Sequence, residues 1–240
     1  MITLKRIYIL VLICVFCVSA TTLGLTGTYS VKSTSASVNT TARDYPTIVI
    51  DSGHGGLDGG TSSQDGLLEK DVNLDIALTL NKLLIQSGYN TVMIRETDVS
   101  VHDKEAETTR EKKVSDIKNR VEAANSKKDN ILISIHQNHF TESKYLGTQV
   151  FYSKNHPHSQ VIAESIRTAV TTLLQPDNTR KCKESSNIYL LDNATVPSVI
   201  VECGFLSNPD EAYLLSKEDY RDKMAYCIYL GILEYIYLNY

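Results

Sequence analysis

Thr47-Ile48-Val49-Ile50-Asp51-Ser52-Gly53-His54-Gly55-Gly56 is the stretch that decides the fold of this 240-residue chain. Residues 47–50 are apolar without polar alternation, the pattern of a strand buried on both faces, as parallel strands are. The run ends in an acid and a glycine-rich turn that carries a histidine. Two more runs, residues 131–135 and 199–201, share this character and end directly on polar residues, His136 and Glu202. Residues 91–94 and 148–152 are a fourth and a fifth strand candidate.

Helical periodicity fills the gaps between them. Val72, Ile76, Leu80, Leu83 and Leu84 form one apolar stripe, closed by Ser87-Gly88. Val114, Ile117, Val121 and Ala124 form a second on a highly charged segment. A third, from Val161 to Leu173, stops near Pro176. Asn208-Pro209-Asp210-Glu211 combines a capping Asn, a Pro at the first helical position and acids in the first turn. Ser216 with Asp219 is expected to open a last helix bearing Tyr220, Met224, Cys227, Ile228 and Tyr235, with its tyrosines packed in the core. Strands alternating with helices predict one α/β domain over residues 43–240, a mostly parallel twisted sheet of about six strands with helices on both faces.

Residues 1–42 read differently. Lys5 and Arg6 precede a nearly uninterrupted apolar run from Ile7 to Ala20, and Val18-Ser19-Ala20 has the small residues of a signal-peptidase site. Extended to Leu25, the run is long enough to serve as an uncleaved anchor. The following tract to Ala42 is rich in Ser and Thr and reads as a flexible tether. The chain is therefore expected to be exported, either secreted or held at the membrane. Cys14 and Cys17 fall in this segment, and Cys182, Cys203 and Cys227 remain, an odd number at wide spacing that gives neither a disulfide framework nor a CxxC metal pattern. Beyond residue 42 the chain carries 21 basic and 28 acidic residues. A body this acidic is a poor partner for nucleic acid.

In open α/β sheets, ligands collect outside the carboxyl ends of the strands. His54, His136 and Glu202 lie at three such ends, and Glu69 falls on the first turn of the helix whose stripe begins at Val72. Two imidazoles and a carboxylate suit a catalytic zinc ion, which takes three nitrogen or oxygen ligands and leaves a position for water. A separate carboxylate is then needed to move protons. This gives His54, Glu69 and His136 as candidate ligands of one Zn2+ and Glu202 as candidate general base and acid. The spacings, 15 and 67 residues, are not those of a compact metal motif. His54 also reads as a turn residue, His136 as a hydrogen-bonded core histidine, and Glu69 as a favourable charge at a helix N-terminus. Glu202 is the hardest to explain without a function, because an unpaired carboxylate at the end of a buried strand is costly.

The same segments resemble the zinc-dependent N-acetylmuramoyl-L-alanine amidases, the type 3 amidase family. The resemblance lies in Ile50-Asp51-Ser52-Gly53-His54-Gly55-Gly56, in Glu69-Lys70-Asp71, in Ser134-Ile135-His136-Gln137-Asn138 and in Val201-Glu202-Cys203-Gly204-Phe205-Leu206-Ser207-Asn208. Arg95, and Arg120 with Asn125, also fall into the family pattern. Ser52 stands where the family usually has Pro, and Gln137 and His139 where it usually has small residues. The resemblance implies a peptidoglycan hydrolase that cleaves the amide between the lactyl group of N-acetylmuramic acid and L-alanine of the stem peptide, with zinc holding the attacking water and Glu202 passing its proton to the leaving amine. A signal, a tether and one bare domain resemble the germination-type branch that acts on the spore cortex. The absence of wall-binding repeats suggests retention by a membrane-associated or lipoprotein partner. A vegetative wall autolysin, a non-catalytic zinc or wall-binding module and a zinc peptidase are the alternatives.

Four details follow from the residues. Strand alternation puts His136 and Asn138 on one side and His139 on the other. Cys203 points away from Glu202, so a thiol nucleophile is disfavoured. His102, His156 and His158 are expected at the solvated surface. Residues 183–196 are expected to be too short for an inserted helix that would cover the metal.

Overall fold

The computed structural model describes residues 45–240. The signal, tether and two N-terminal cysteines read from the sequence lie outside the described residues. Among these residues no helix is long and apolar enough to cross a membrane.

The chain runs β1 (Thr47–Ser52), α1 (Glu69–Gln86), β2 (Thr91–Met93), α2 (Thr109–Asn125), β3 (Asn130–Asn138), β4 (Gln149–Tyr152), α3 (His158–Leu173), β5 (Lys183–Glu184), α4 (Tyr189–Asn193), β6 (Ser198–Phe205), α5 (Pro209–Leu215) and α6 (Glu218–Asn239). The six strands form one sheet in the order β2-β1-β3-β6-β4-β5. β2, β1, β3 and β6 are parallel, whereas β4 runs antiparallel to β6. The predicted α/β architecture is the one observed.

Alternation along the central strands divides the core. Ile48 and Ile50 of β1 and Ile131, Ile133 and Ile135 of β3 face α1, α3 and α6, while Val49 and Leu132 face α2 and α4. Both faces of these strands are dry, which is why their sequence shows no polar alternation. The first side holds most of the core, with Ile76, Leu80 and Leu84 of α1 packed with Ile228 and Ile232 of α6. Gly231 lets α6 approach α3, because a Cβ there would meet the Ile166 backbone at 2.4 Å.

Two helix starts carry side-chain caps. Asn208 caps α5 through its Oδ1, which accepts from the N–H groups of Asp210 and Glu211, each at 3.0 Å. α2 starts with a reciprocal box between Thr108 and Glu111. The final helix does not use Ser216 as its cap. Ser216 ends α5, with its hydroxyl donating to Tyr213 O at 2.7 Å, and α6 begins behind Lys217 without a side-chain cap. The two-residue gap between α5 and α6 leaves Ser216 helical at φ −70°, ψ −16°, so it cannot take the extended conformation of an N-cap.

From β1 the chain moves outward to β2 and then returns to the other side at β3. This reversal leaves a crevice at the carboxyl ends of β1 and β3, where open α/β sheets bind ligands. His54 follows the end of β1, His136 lies at the end of β3, and Glu202 is the register partner of His136 on β6.

Candidate metal centre and active site

A loop, a helix start and the ends of two strands converge on this crevice. The imidazoles of His54 and His136 lie 5.0 Å apart, centroid to centroid, edge to face. One carboxylate oxygen, Oε1 of Glu69, sits between them, 3.2 Å from Nε2 of His54 and 2.9 Å from Nδ1 of His136. The three side chains present donor atoms all within 4.8 Å of one another. Two nitrogens and an oxygen at this spacing make a donor set that suits zinc. The three residues proposed as ligands from the sequence are thus brought together.

The backbone delivers these donors under constraint. His54 has φ +62°, a left-handed conformation that a residue with a side chain rarely adopts. Two buried arginines fix it there. Arg95 donates to Ser52 O at 2.8 Å and to Gly53 O at 3.0 Å, and Arg120 donates to His54 O at 2.7 Å and to Ser52 O at 3.1 Å. Arg120 is itself held by the carboxylates of Asp51 and Asp116. Burial alone would raise the Asp51 carboxyl, but the Arg120 guanidinium and Ser134 hydroxyl hold it below the usual carboxylate range. Arg95 and Arg120, singled out earlier by resemblance alone, are therefore the scaffold of the His54 loop. Lys70 adds a third clamp, bonding Gly56 O at 2.8 Å and Asp98 at 2.6 Å.

Gly53 and Gly60 leave the space the donors occupy. A Cβ on Gly53 would lie 2.2 Å from Cε1 and Nε2 of His136, and one on Gly60 would lie 2.5 Å from Oε2 of Glu69. Glu69 is the first residue of α1, where the helix dipole favours an anion. Its Oε2 accepts from Thr61 N at 2.8 Å and its Oε1 from Gln137 N at 3.1 Å. Burial opposes its ionisation, yet the hydrogen bonds from His136 and His54 hold it far below the usual carboxylate range.

Asp58 is a site residue that sequence reasoning missed. Its Oδ2 lies 3.0 Å from Nδ1 of His54, the ring nitrogen turned away from Glu69. Such a carboxylate fixes the tautomer and orientation of a ligating histidine. Burial disfavours the charged imidazole, but Glu69 and Asp58 together push His54 up to about 9. The only sequence signal for Asp58 is its position four residues after His54 in a glycine-rich loop.

Glu202 is set apart from these contacts. Its Oε2 is sealed from solvent and has no hydrogen-bond partner. Burial pushes its carboxyl up to about 7, with the Glu69 charge adding to the rise and the two imidazoles opposing it. A carboxyl so placed exchanges a proton near neutral pH. Its neighbour Cys203 points into the core and is fully buried, which raises its thiol far above the ordinary range. His139 is exposed beyond the end of β3, away from the donor set. Three other histidines are not simply solvated: His102, half-buried, bonds Ser100 Oγ at 2.8 Å, and His158 meets the hydroxyl of Tyr235 at 3.0 Å, with His156 beside it. The expected tyrosine core packing explains the second, since the buried Tyr235 needs a polar partner for its hydroxyl. The only helix in the segment 183–196 is the five-residue α4.

Comparison with known proteins places this geometry. The family described as N-acetylmuramoyl-L-alanine amidase matches residues 48–234. A germination-specific N-acetylmuramoyl-L-alanine amidase of Bacillus subtilis (strain 168) is 39% identical over 188 residues, spanning 78% of this chain and 78% of that protein. The CwlD amidase from Clostridioides difficile, solved in complex with the GerS lipoprotein, is 40% identical with a TM-score of 0.78, covering 81% of this chain and 100% of that one. The catalytic domain of CwlV, an N-acetylmuramoyl-L-alanine amidase from Bacillus (Paenibacillus) polymyxa var. colistinus, is 28% identical with a TM-score of 0.67, covering 81% and 99%.

Proposed function

The chain belongs to the N-acetylmuramoyl-L-alanine amidase family, and from that premise we propose that it is a zinc-dependent peptidoglycan hydrolase. The bond cleaved is the amide between the lactyl group of N-acetylmuramic acid and L-alanine of the stem peptide. His54, Glu69 and His136 hold one Zn2+, a role supported by three donor atoms within 4.8 Å. Zinc bound there supplies Lewis acidity at the scissile carbonyl and acidifies water at neutral pH. Glu202 takes the proton of the attacking water on its carboxylate and returns it to the amide nitrogen as the C–N bond breaks. The products are a lactyl carboxylate and a free peptide amine. Asp58 orients His54, and Arg95 and Arg120 hold the loop that carries it.

The observation that carries this reading is the buried, unpaired Oε2 of Glu202 beside the donor cluster. A module that only bound zinc or wall polymer would have no use for it. Likeness to a germination-specific amidase supports the spore cortex as the substrate, where removing stem peptides is the first step toward muramic-δ-lactam. A neighbour solved with a lipoprotein supports a membrane-associated lipoprotein partner for this chain as well. Residues 1–42 act as an export signal or anchor with its tether, and residues 43–240 as the catalytic domain, outside the cytoplasm.

Mass analysis of peptidoglycan fragments after incubation with the zinc-loaded protein tests the proposal. Free stem peptides beginning in L-alanine, from cortex fragments in preference to vegetative wall, are the expected products. Glu202→Gln is expected to keep its zinc and release none. A Glu202→Gln protein as active as wild type would falsify the assigned role, intact fragments with cleaved casein would indicate a peptidase, and equal release from vegetative wall would indicate an autolysin.

A further inference from the structure

A cavity of about 690 Å³ opens beside the donor cluster and takes in His54 and His136 on one side and the start of α2 on the other. Much of its wall is apolar, formed by Leu57, Val99, Ile117, Ile188, Tyr189 and Leu190. Leu57 is 93% exposed, an aliphatic side chain standing open at the edge of the site. A wall of this kind suits the aliphatic parts of a peptide.

Each carboxylate lining the cavity already has a partner. Asp51 is paired with Arg120 and accepts from Ser134 Oγ. Asp116 meets Arg120 Nε at 2.6 Å and also accepts from Ser100 Oγ and Val101 N. Asp98 meets Lys70 Nζ at 2.6 Å and accepts from Gly56 N. Asp58 lies against His54, with Lys113 Nζ at 3.4 Å. One lining cation is unpaired. Lys112, half-buried on α2, lines the cavity, and among the described residues its ammonium has no hydrogen-bond or ion-pair partner. The carboxylates around it are already engaged, so an incoming anion meets a free cation with its competitors occupied.

We propose that this cavity receives the stem peptide and that Lys112 binds one of the peptide's carboxylates, making Lys112 a specificity-determining residue. The inference rests on the amidase reading above. It commits the peptide, and not the glycan, to the α2 side of the metal centre, because an aliphatic wall with one unpaired cation complements a chain of small side chains and carboxylates.

The test uses the full-length, zinc-loaded protein with two readouts. The first is calorimetric binding of the free stem tetrapeptide and of a synthetic counterpart with every carboxylate converted to an amide. Wild type is expected to bind the acid form at least about tenfold more tightly, the scale of one charge-assisted hydrogen bond. Lys112→Met should abolish that preference and Lys112→Arg should restore it. The second is hydrolysis of the corresponding muramyl tetrapeptides, where Lys112→Met should raise KM for the acid substrate about tenfold with kcat within about twofold. Retention of the acid preference by Lys112→Met, or equal weakening on both peptides, overturns the inference. Lys112-dependent peptide binding without hydrolysis by wild type would leave the inference standing and overturn the amidase reading.

Discussion

Replacing Gly53 by alanine tests whether the His136 ring is where the account needs it. The added Cβ would lie 2.2 Å from two ring atoms of His136 and 2.7 Å from Nδ1. Ordinary contact begins near 3.5 Å, so the ring must retreat by about 1.3 Å. A functional constellation tolerates about 0.5 Å, and ligand distances in a metal site hold to about 0.2 Å. The backbone does not confuse the result, because Gly53 does not have the positive φ that strains alanine. Overpacking of this kind costs about 1–3 kcal/mol, which in a chain of this size lowers Tm by roughly 2–12 °C. Gly53→Ala is therefore expected to fold, to bind zinc at least about tenfold more weakly in a chelator competition, and to lose at least about a hundredfold in kcat/KM. Gly59→Ala is the matched control from the same loop, since its Cβ meets only Leu68 Cδ2 at 3.7 Å. A Gly53→Ala protein with the zinc affinity of the control would refute the reasoning.

Other perturbations separate the supporting roles. Asp58→Asn should keep the fold and weaken zinc binding by about 10–100-fold, measured by the same competition, because it removes the charge that orients His54. Arg120→Met strands the buried Asp51 and should cost about 3–5 kcal/mol at pH 7 in urea unfolding. The sign with pH is fixed. In wild type the depressed Asp51 pKa contributes stability above 3.8 that is lost as pH falls through the folded value. Without Arg120, burial raises that pKa, so the deficit of the variant should begin to narrow above pH 3.8, as its own Asp51 takes up a proton, and narrow further below 3.8 as the wild type loses its contribution; a constant deficit would contradict the pairing. Burial, then the Glu164 carboxylate, pushes the Cys182 thiol up to about 12. Its alkylation in native protein at pH 8, followed by mass spectrometry, should be more than about tenfold slower than that of a free thiol and accelerate beyond pH 10.

Much of this site was legible because its residues stand where a buried strand stops. His136 and Glu202 are polar residues directly after apolar runs, and β3 and β6 hold them in register. The expected strand alternation also turned Cys203 inward, whereas His139 lies beyond the end of β3. What the sequence hid depends on long-range geometry. Residues 149–152 look as apolar as a parallel strand, and direction against β6 leaves no local mark, so the antiparallel pairing of β4 was not visible. Asp58 reads as an ordinary turn acid until the loop folds it onto His54. Arg120 is one charge among many on α2, and only the approach of that helix to the His54 loop gives it a role. Ser216 failed as a cap because the turn joining α5 to α6 is too tight for it. His158 was misread as solvated for want of its partner Tyr235, 77 residues away.

The most direct test of the central claim is anomalous scattering at the zinc absorption edge from crystals of the zinc-soaked protein. The account predicts one peak bounded by His54, Glu69 and His136, with the Glu202 carboxylate nearby and not among the ligands. A peak elsewhere, or none at these three side chains under saturating zinc, would contradict it.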